Sequence, residues 1–491
     1  MASEIRVDKI NSLSGVGTVS LSPTGVDISG ITTAATLKAT TGIVTTLTAT
    51  TGIVTTFEAT TGNITPLRAP TGIVTSLEAT TGDITTLRAP TGIVTTFVTN
   101  TAKVGAAVTI SESGIEASGI GITVANINGG KVGGRKNLMI NGSMIISQRH
   151  RTASVTATGY VIDRFTVTQN GLDNTVSKQQ VGVTTASAPH RLGFGKALKI
   201  TNGDQTGGAG AGDYIFMRYK WEGQEIVTSG WDYIDTNSFI TLSFWIKSSV
   251  AQSFQMYFRS LRGTDYNYAF ETGSLTADTW TKVIKTIPGN SNLVFDHNNL
   301  EGMYLDTGPF FGTNFTDNSV TNDAWAAYNS GTRMKDNDST WYLTDGATLE
   351  ITGFQLEVGT QATPFEHRGE NEELALCQRY CYVIHMQNGD FSGFTGQALN
   401  ADDAHVVSSF PVPMRDEPTY TGSATNCRFQ AGNSSSQVPF SSLSIFRVPV
   451  QRPVSIIGLR DQDVGSMTTG QALMLQAMAN SGKMTFDAEV S

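Results

Sequence analysis

Residues 31–100 are seven tandem decapeptides whose phase never slips, from Thr41-Gly42-Ile43-Val44-Thr45-Thr46-Leu47 to Thr91-Gly92-Ile93-Val94-Thr95-Thr96-Phe97. The fourth place holds Ala34, Val44, Val54, Ile64, Val74, Ile84 and Val94. The seventh holds Leu37, Leu47, Phe57, Leu67, Leu77, Leu87 and Phe97, and the ninth is alanine from Ala39 to Ala89. Places four and seven have opposite parity, so one straight strand cannot bury both. The chain must bend at places five and six, which carry Thr-Thr or Thr-Pro66, and again at the Thr-Gly corner, with Pro70 and Pro90 just before it. So few apolar side chains per rung cannot enclose a core, so each rung needs neighbours to stack on and other chains to close around. The pattern predicts a parallel homotrimeric β-shaft. A twenty-residue beat supports stacking, since place eight runs Glu58, Arg68, Glu78, Arg88. Exposed pairs of this kind contribute only about 0–1 kcal/mol each and serve register more than stability. An ice-binding threonine face is the competing use of such an array, but Pro66, Ser76 and the alternating charges interrupt it.

Charged residues are 15% of the 491, against roughly 25% in an ordinary soluble protein. That balance suits β-rich, turn-rich structure. Net charge is −9, which offers no overall basic character for nucleic acid. Three cysteines cannot form a disulfide framework, so the shaft must be stable by assembly. No export signal and no run of transmembrane length is visible. A fibrous protein of this kind fits a virus particle assembled in the host cytoplasm.

The chain divides into an attachment segment (1–30), the decapeptide shaft (31–104) and a second shaft module with a Gly-rich joint (105–136). A β-sandwich domain (137–368), a junction helix (369–384) and a β-rich tip (385–491) follow. Val19-Ser-Leu-Ser-Pro-Thr-Gly25 matches Val108-Thr-Ile-Ser-Glu-Ser-Gly114, so similar modules bracket the array. Within 137–368 short runs alternate: Ile215, Met217, Tyr219 and Trp221 against Tyr214, Phe216, Arg218 and Lys220, and Ile240, Leu242, Phe244 and Ile246 against Thr241, Ser243, Trp245 and Lys247. These predict an all-β chain with a jelly-roll-like sandwich. Glu370-Asn-Glu-Glu-Leu-Ala-Leu-Cys377 opens a helix with acids in its first turn, and places Leu374, Cys377 and Cys381 on one stripe.

Ala2-Ser-Glu-Ile-Arg-Val-Asp-Lys-Ile10, Gly134-Arg-Lys-Asn-Leu-Met-Ile-Asn-Gly-Ser-Met144 with Gln148-Arg149, Tyr160-Val-Ile-Asp-Arg164-Phe165, and Phe354-Gln-Leu-Glu-Val through Pro364-Phe-Glu-His-Arg368 form a group of motifs. With Glu373-Leu-Ala-Leu-Cys-Gln-Arg-Tyr380 they resemble tail-fibre proteins of phages that infect marine cyanobacteria. The resemblance implies homotrimeric fibres, with the N-terminal segment held by a phage tail or adaptor protein and the C-terminal half turned to the host. The array and the final unit lie outside it.

The expected function is therefore multivalent, non-catalytic adhesion to a host surface glycan or outer-membrane receptor, with no cofactor and no nucleic acid. If the strands bearing Trp245, Tyr257 and Arg259 pair, these side chains form an outward aromatic-cationic platform suited to a sugar face. The same face could instead be buried against the next sheet or subunit. In the tip, Arg415, Asn426, Arg428 and Arg447 are ligand candidates by location. The alternative is a tailspike that cleaves polysaccharide with two carboxylates, for which Glu222, Glu225, Asp232 and Asp235 make the densest acidic and aromatic stretch. A purely structural spacer is a third reading. Asp336 and Asp338 are weak candidates for calcium, and Cys377 and Cys381 read as core packing. No histidine pair has metal-ligand spacing.

Overall fold

The computed structural model describes residues 135–491, except 206, 423–426, 432–436, 440–442, 448–453, 462–463, 465–466, 479, 481 and 491, together with six short strands before them. The decapeptide array, and with it the expected shaft, lies outside the described residues. The chain separates into two units, Met1–Val98 and Thr99–Ser491. In the first, Lys9–Asn11, Thr18–Ser22 and Gly25–Ser29 make an antiparallel meander with Val19 opposite Ile28. In the second, Thr101–Val104, Val108–Ser111 and Gly114–Ala117 make another, with Ile110 opposite Ile115. The two stretches that match in sequence thus pair alike, Ser22 with Gly25 and Ser111 with Gly114.

The described residues are nearly all β, with four short helices. The larger body is an antiparallel sandwich. One sheet orders its strands Thr281–Pro288, Phe239–Ser248, Thr348–Val358, Lys196–Thr201, Ser177–Gly182. The other runs Ala324–Ala327, Tyr266–Glu271, Gln255–Ser260, Glu301–Phe311, Tyr214–Glu222, Phe165–Asn170, Gly159–Ile162. The alternation read from sequence sets the inner faces. Ile215, Met217, Tyr219 and Trp221 from the seven-stranded sheet share one core with Ile240, Leu242, Phe244 and Ile246 from the five-stranded one, none more than 1% exposed. Each such side chain contributes about 1.5–3 kcal/mol by leaving water.

The motif stretches that open and close this body meet in space. Asn137 N donates to Glu366 Oε2 at 2.7 Å, Asn137 Nδ2 to Phe354 O at 3.0 Å, and Arg368 Nη2 to Asn137 O at 2.7 Å. One inward polar group stands out. Lys178 is buried, with Nζ donating to Thr156 O at 2.7 Å and Ala157 O at 3.2 Å. Burial pushes its ammonium down from 10.5 to about 8. Between those values the unfolded chain binds more protons than the native one, so stability rises with pH there. Chemical unfolding followed from pH 8 to 10 should show that rise, and Lys178→Met should flatten it. An unchanged profile in the variant would remove the lysine as its cause.

Residues 381–490 build a second body. A seven-stranded sheet (Gln437–Pro439, Cys427–Ala431, Ala472–Ala477, Phe391–Ala398, Ala404–Met414, Val454–Asp461, Ser444–Arg447) faces a three-stranded one (Cys381–Met386, Gly482–Asp487, Thr419–Gly422). Phe394, Val406, Phe429, Leu475 and Phe486 lie between them. The junction helix is shorter than expected. It spans Glu370–Gln378, and Cys381 begins the strand Cys381–Met386 rather than extending a helical stripe. The run Cys381-Tyr-Val-Ile-His-Met is rich in β-branched and aromatic side chains and gains a strand partner in Gly482–Asp487, which outweighs continuation of the helix.

Residues 488–490 lie where the two bodies meet. Ala488 N donates to Tyr380 O at 2.8 Å. Arg415 donates to Ala488 O at 2.8 Å and to Glu489 O at 3.0 Å, and also to Asn299 O. The Glu489 carboxylate accepts from Arg164 Nη1 at 2.5 Å and from Arg149 at 3.4 Å. The guanidinium of Arg164 lies 3.5 Å over the Tyr380 ring.

Candidate functional site

The sandwich presents two outward faces, and the expected platform is divided between them. Phe239–Ser248, which carries Trp245, belongs to the five-stranded sheet, while Gln255–Ser260, which carries Tyr257 and Arg259, belongs to the seven-stranded one. All three side chains do point away from the core, as their parity requires. The strands do not pair with each other, so the three residues form no common surface. Parity is a local property, whereas the choice of sheet is not.

On the seven-stranded face Tyr257 is 0% exposed and its hydroxyl donates to Asp306 Oδ2 at 2.7 Å. Arg218 grips the same carboxylate through Nε at 2.6 Å and Nη2 at 2.7 Å. Its guanidinium lies 3.9 Å over Tyr304. Arg259 donates to Tyr304 Oη at 3.0 Å and to Asp265 Oδ2 through Nε at 3.0 Å, and covers Tyr328 at 3.5 Å. Burial, reinforced by Asp306, pushes the Tyr257 hydroxyl well above the usual phenol range. Phe315, Val320, Tyr328 and Met334, from a long connection, pack over Phe216, Tyr257 and Phe311. This half of the platform is a small secondary core stiffened by ion pairs.

The five-stranded face is more open around Trp245. Trp245 and Trp280 are partly exposed, Lys282 is exposed, and Ile284 is 49% exposed. Trp245 faces Lys282 across the strands. Lys247 faces Glu350, which faces Lys199, which faces Gln179. Lys247 Nζ is 2.9 Å from Glu350 Oε2 and 5.3 Å from the centroid of the Trp280 ring. Trp245 sits beside a bulge at Gly353, where φ is +71° and a Cβ would lie 2.9 Å from the Phe194 ring and 3.1 Å from Trp245 Cδ1. Glycine there makes room for both rings and accepts a backbone conformation that side-chain-bearing residues avoid.

The remaining candidates are scattered. Arg415 is 5% exposed and holds the joint, so its expected place on the tip surface is corrected. Its neighbours in sequence carry no sign of this, because the carbonyls it binds belong to residues 488 and 489. Arg428 lies on the outward face of the C-terminal sheet and donates to Gln476 Oε1 at 2.9 Å. That face also exposes Phe391, Val407, Ile456 and Met474. Arg447 ends the edge strand Ser444–Arg447. Asn426 lies outside the described residues. Asp336 accepts from Thr316 Oγ1 at 2.8 Å, and Asp338 accepts from Thr340 N at 2.8 Å. Among the described residues no group of three or more His, Cys, Asp or Glu side chains is gathered as a metal ion would need.

The acidic and aromatic stretch is divided too. Glu222 is buried and accepts from Arg379 Nη2 at 3.0 Å and Tyr380 Oη at 2.5 Å. Glu225 Oε2 accepts from the Glu222 backbone at 3.0 Å. Burial raises the Glu225 carboxyl above its usual range, opposed by Arg164. Asp232 and Asp235 sit exposed on the following turns. Sequence reading missed Trp280, Lys282 and Lys199 as companions of Trp245. The β-branched pair Val283-Ile284 favours a strand there but says nothing of its neighbours.

No family model and no curated protein matches the sequence. Several solved structures share some likeness. The enzymatically active domain of bacteriophage CBA120 tailspike protein 4 aligns at 10% identity over 45% of this chain and 21% of that chain, TM-score 0.25. The N-terminal cellulose-binding domain of a Cellulomonas fimi β-1,4-glucanase aligns at 10% identity over 40% of this chain and 90% of that chain, TM-score 0.21. The family 11 carbohydrate-binding module from Clostridium thermocellum aligns at 13% identity over 43% and 99% respectively, TM-score 0.20. This chain spans about a fifth of the tailspike domain. Scores of this size carry no functional inference.

Proposed function

We propose that this chain is a homotrimeric phage tail fibre that adsorbs to host-cell surface glycan without cleaving it. Its N-terminal segment is held by a tail or adaptor protein, and its β-rich half meets the host. The observation that carries the reading is where the side chains suited to each chemistry lie. The aromatic and basic ones around Trp245 are on an outward sheet face, while Glu222 and Glu225 are committed to Arg379, Tyr380 and their own backbone. Weak contacts on such faces gain effect by repetition. Linked sites can raise avidity by about 10²–10⁴ over a single contact.

Incubating the full chain with host cells and with their extracted polysaccharide tests this directly. Depletion of the protein onto cells, no new reducing ends, and a sedimentation mass three times 52.4 kDa are expected. New reducing ends would establish the tailspike alternative. Failure to bind cells would leave only a structural spacer.

A further inference from the structure

The five-stranded face carries an excess of positive charge in a protein whose net charge is −9. Around Trp245 and Trp280, the outward strand positions hold Lys199, Lys247 and Lys282 beside Glu350. The sheet's other outward carboxylate, Glu357, is 3% exposed and taken up by Gln355 and Thr363, and Asp278 lies on the turn before Trp280. Glu350 is flanked by lysine on both neighbouring strands, and Lys247 is already 2.9 Å from it. Lys282, on the edge strand, is exposed and faces Trp245. From Lys282 to Lys199 the face crosses three strand spacings, about 14 Å at roughly 4.8 Å each. The two indoles lie toward one end of that span.

We infer that this face binds an acidic polysaccharide, one bearing carboxylate or sulfate groups. Trp245 and Trp280 lie under the apolar faces of its sugar rings, and Lys282 and Lys199 meet its acid groups. Indole stacking is indifferent to the charge of the sugar, and ammonium groups favour the acid over a neutral chain. Lys247 takes a different part: its ion pair with Glu350 and its position over Trp280 hold that ring in place. The inference rests on the glycan-adhesion reading and adds the class of glycan and the face that meets it.

Affinity electrophoresis of the full chain through gels containing polygalacturonate, dextran sulfate or neutral dextran tests it. Retardation by at least one anionic polymer and not by dextran is expected, weakening as salt is raised. Which of the two retards the protein separates carboxylate from sulfate recognition. Lys199→Glu with Lys282→Glu, and separately Trp245→Ala, should each weaken the apparent affinity about tenfold or more. Lys285→Gln, whose ammonium pairs with Asp323, should change nothing. The lysine variant keeps the test open if Trp245→Ala fails to fold. Retardation by dextran alone, or by anionic polymers equally in all variants, overturns the inference and leaves glycan adhesion standing. A change in sedimentation mass instead of binding would make the face a subunit contact. No binding to any glycan, host polysaccharide included, would end both.

Discussion

Glu489→Ala should cost about 3–5 kcal/mol, the range for removing one partner of a buried ion pair. Its carboxylate is 8% exposed as a residue and meets Arg164, itself 1% exposed, at 2.5 Å. The substitution leaves a guanidinium buried between two bodies without the carboxylate it touches, and only the weaker attraction of Glu225 in its place. Burial works against charging Arg164, and Glu489 is the group that most offsets it. The loss should appear as cleavage by protease near the joint at concentrations that spare the parent, and as an earlier denaturant transition. Glu489→Met combined with Arg164→Met removes both charges and should recover most of the loss. A single variant within 1 kcal/mol of the parent would show that water already reaches the pair.

Asp306→Ala is the second large effect, about 2–4 kcal/mol, because one 0% exposed carboxylate serves two partners. Arg218 loses both bonds and Tyr257 its acceptor. Arg218 is 22% exposed and can recover some hydration, which places the cost below that at Glu489. The damage should spread to the connection over this face, since Phe315 and Met334 rest on the same cluster. Hydrogen exchange across residues 312–335 reads this, and unchanged protection there would disconnect the ion pair from the overlying segment. By contrast the Lys285–Asp323 pair, with Asp323 53% exposed, contributes at most about 1 kcal/mol.

Both effects depend on residues far apart in the chain, and this marks where sequence reading stopped. Alternation along Tyr214–Glu222 and Phe239–Ser248 was enough to say which side chains enter the core, because a strand turns successive residues to opposite sides whatever its neighbours are. The helix at Glu370–Gln378 was legible from its first-turn acids. Its end was not, since the strand that follows is drawn out by Gly482–Asp487, a partner about a hundred residues on. Trp245 was correctly turned outward, yet its neighbours were misjudged. Its local pattern is compatible with any partner strand, and only the sheet order puts Lys282 beside it and Tyr257 on the opposite face of the sandwich.

By itself, then, the sequence determined an all-β chain and the inward and outward sides of its strands. Those are consequences of periodicity and composition, which act over a few residues. The tertiary structure alone decided that Arg415 belongs to a joint, that Glu222 supports Arg379 and Tyr380, and that lysines gather around Trp245. Each of those depends on which distant segments touch, and that is settled by the burial of whole faces together.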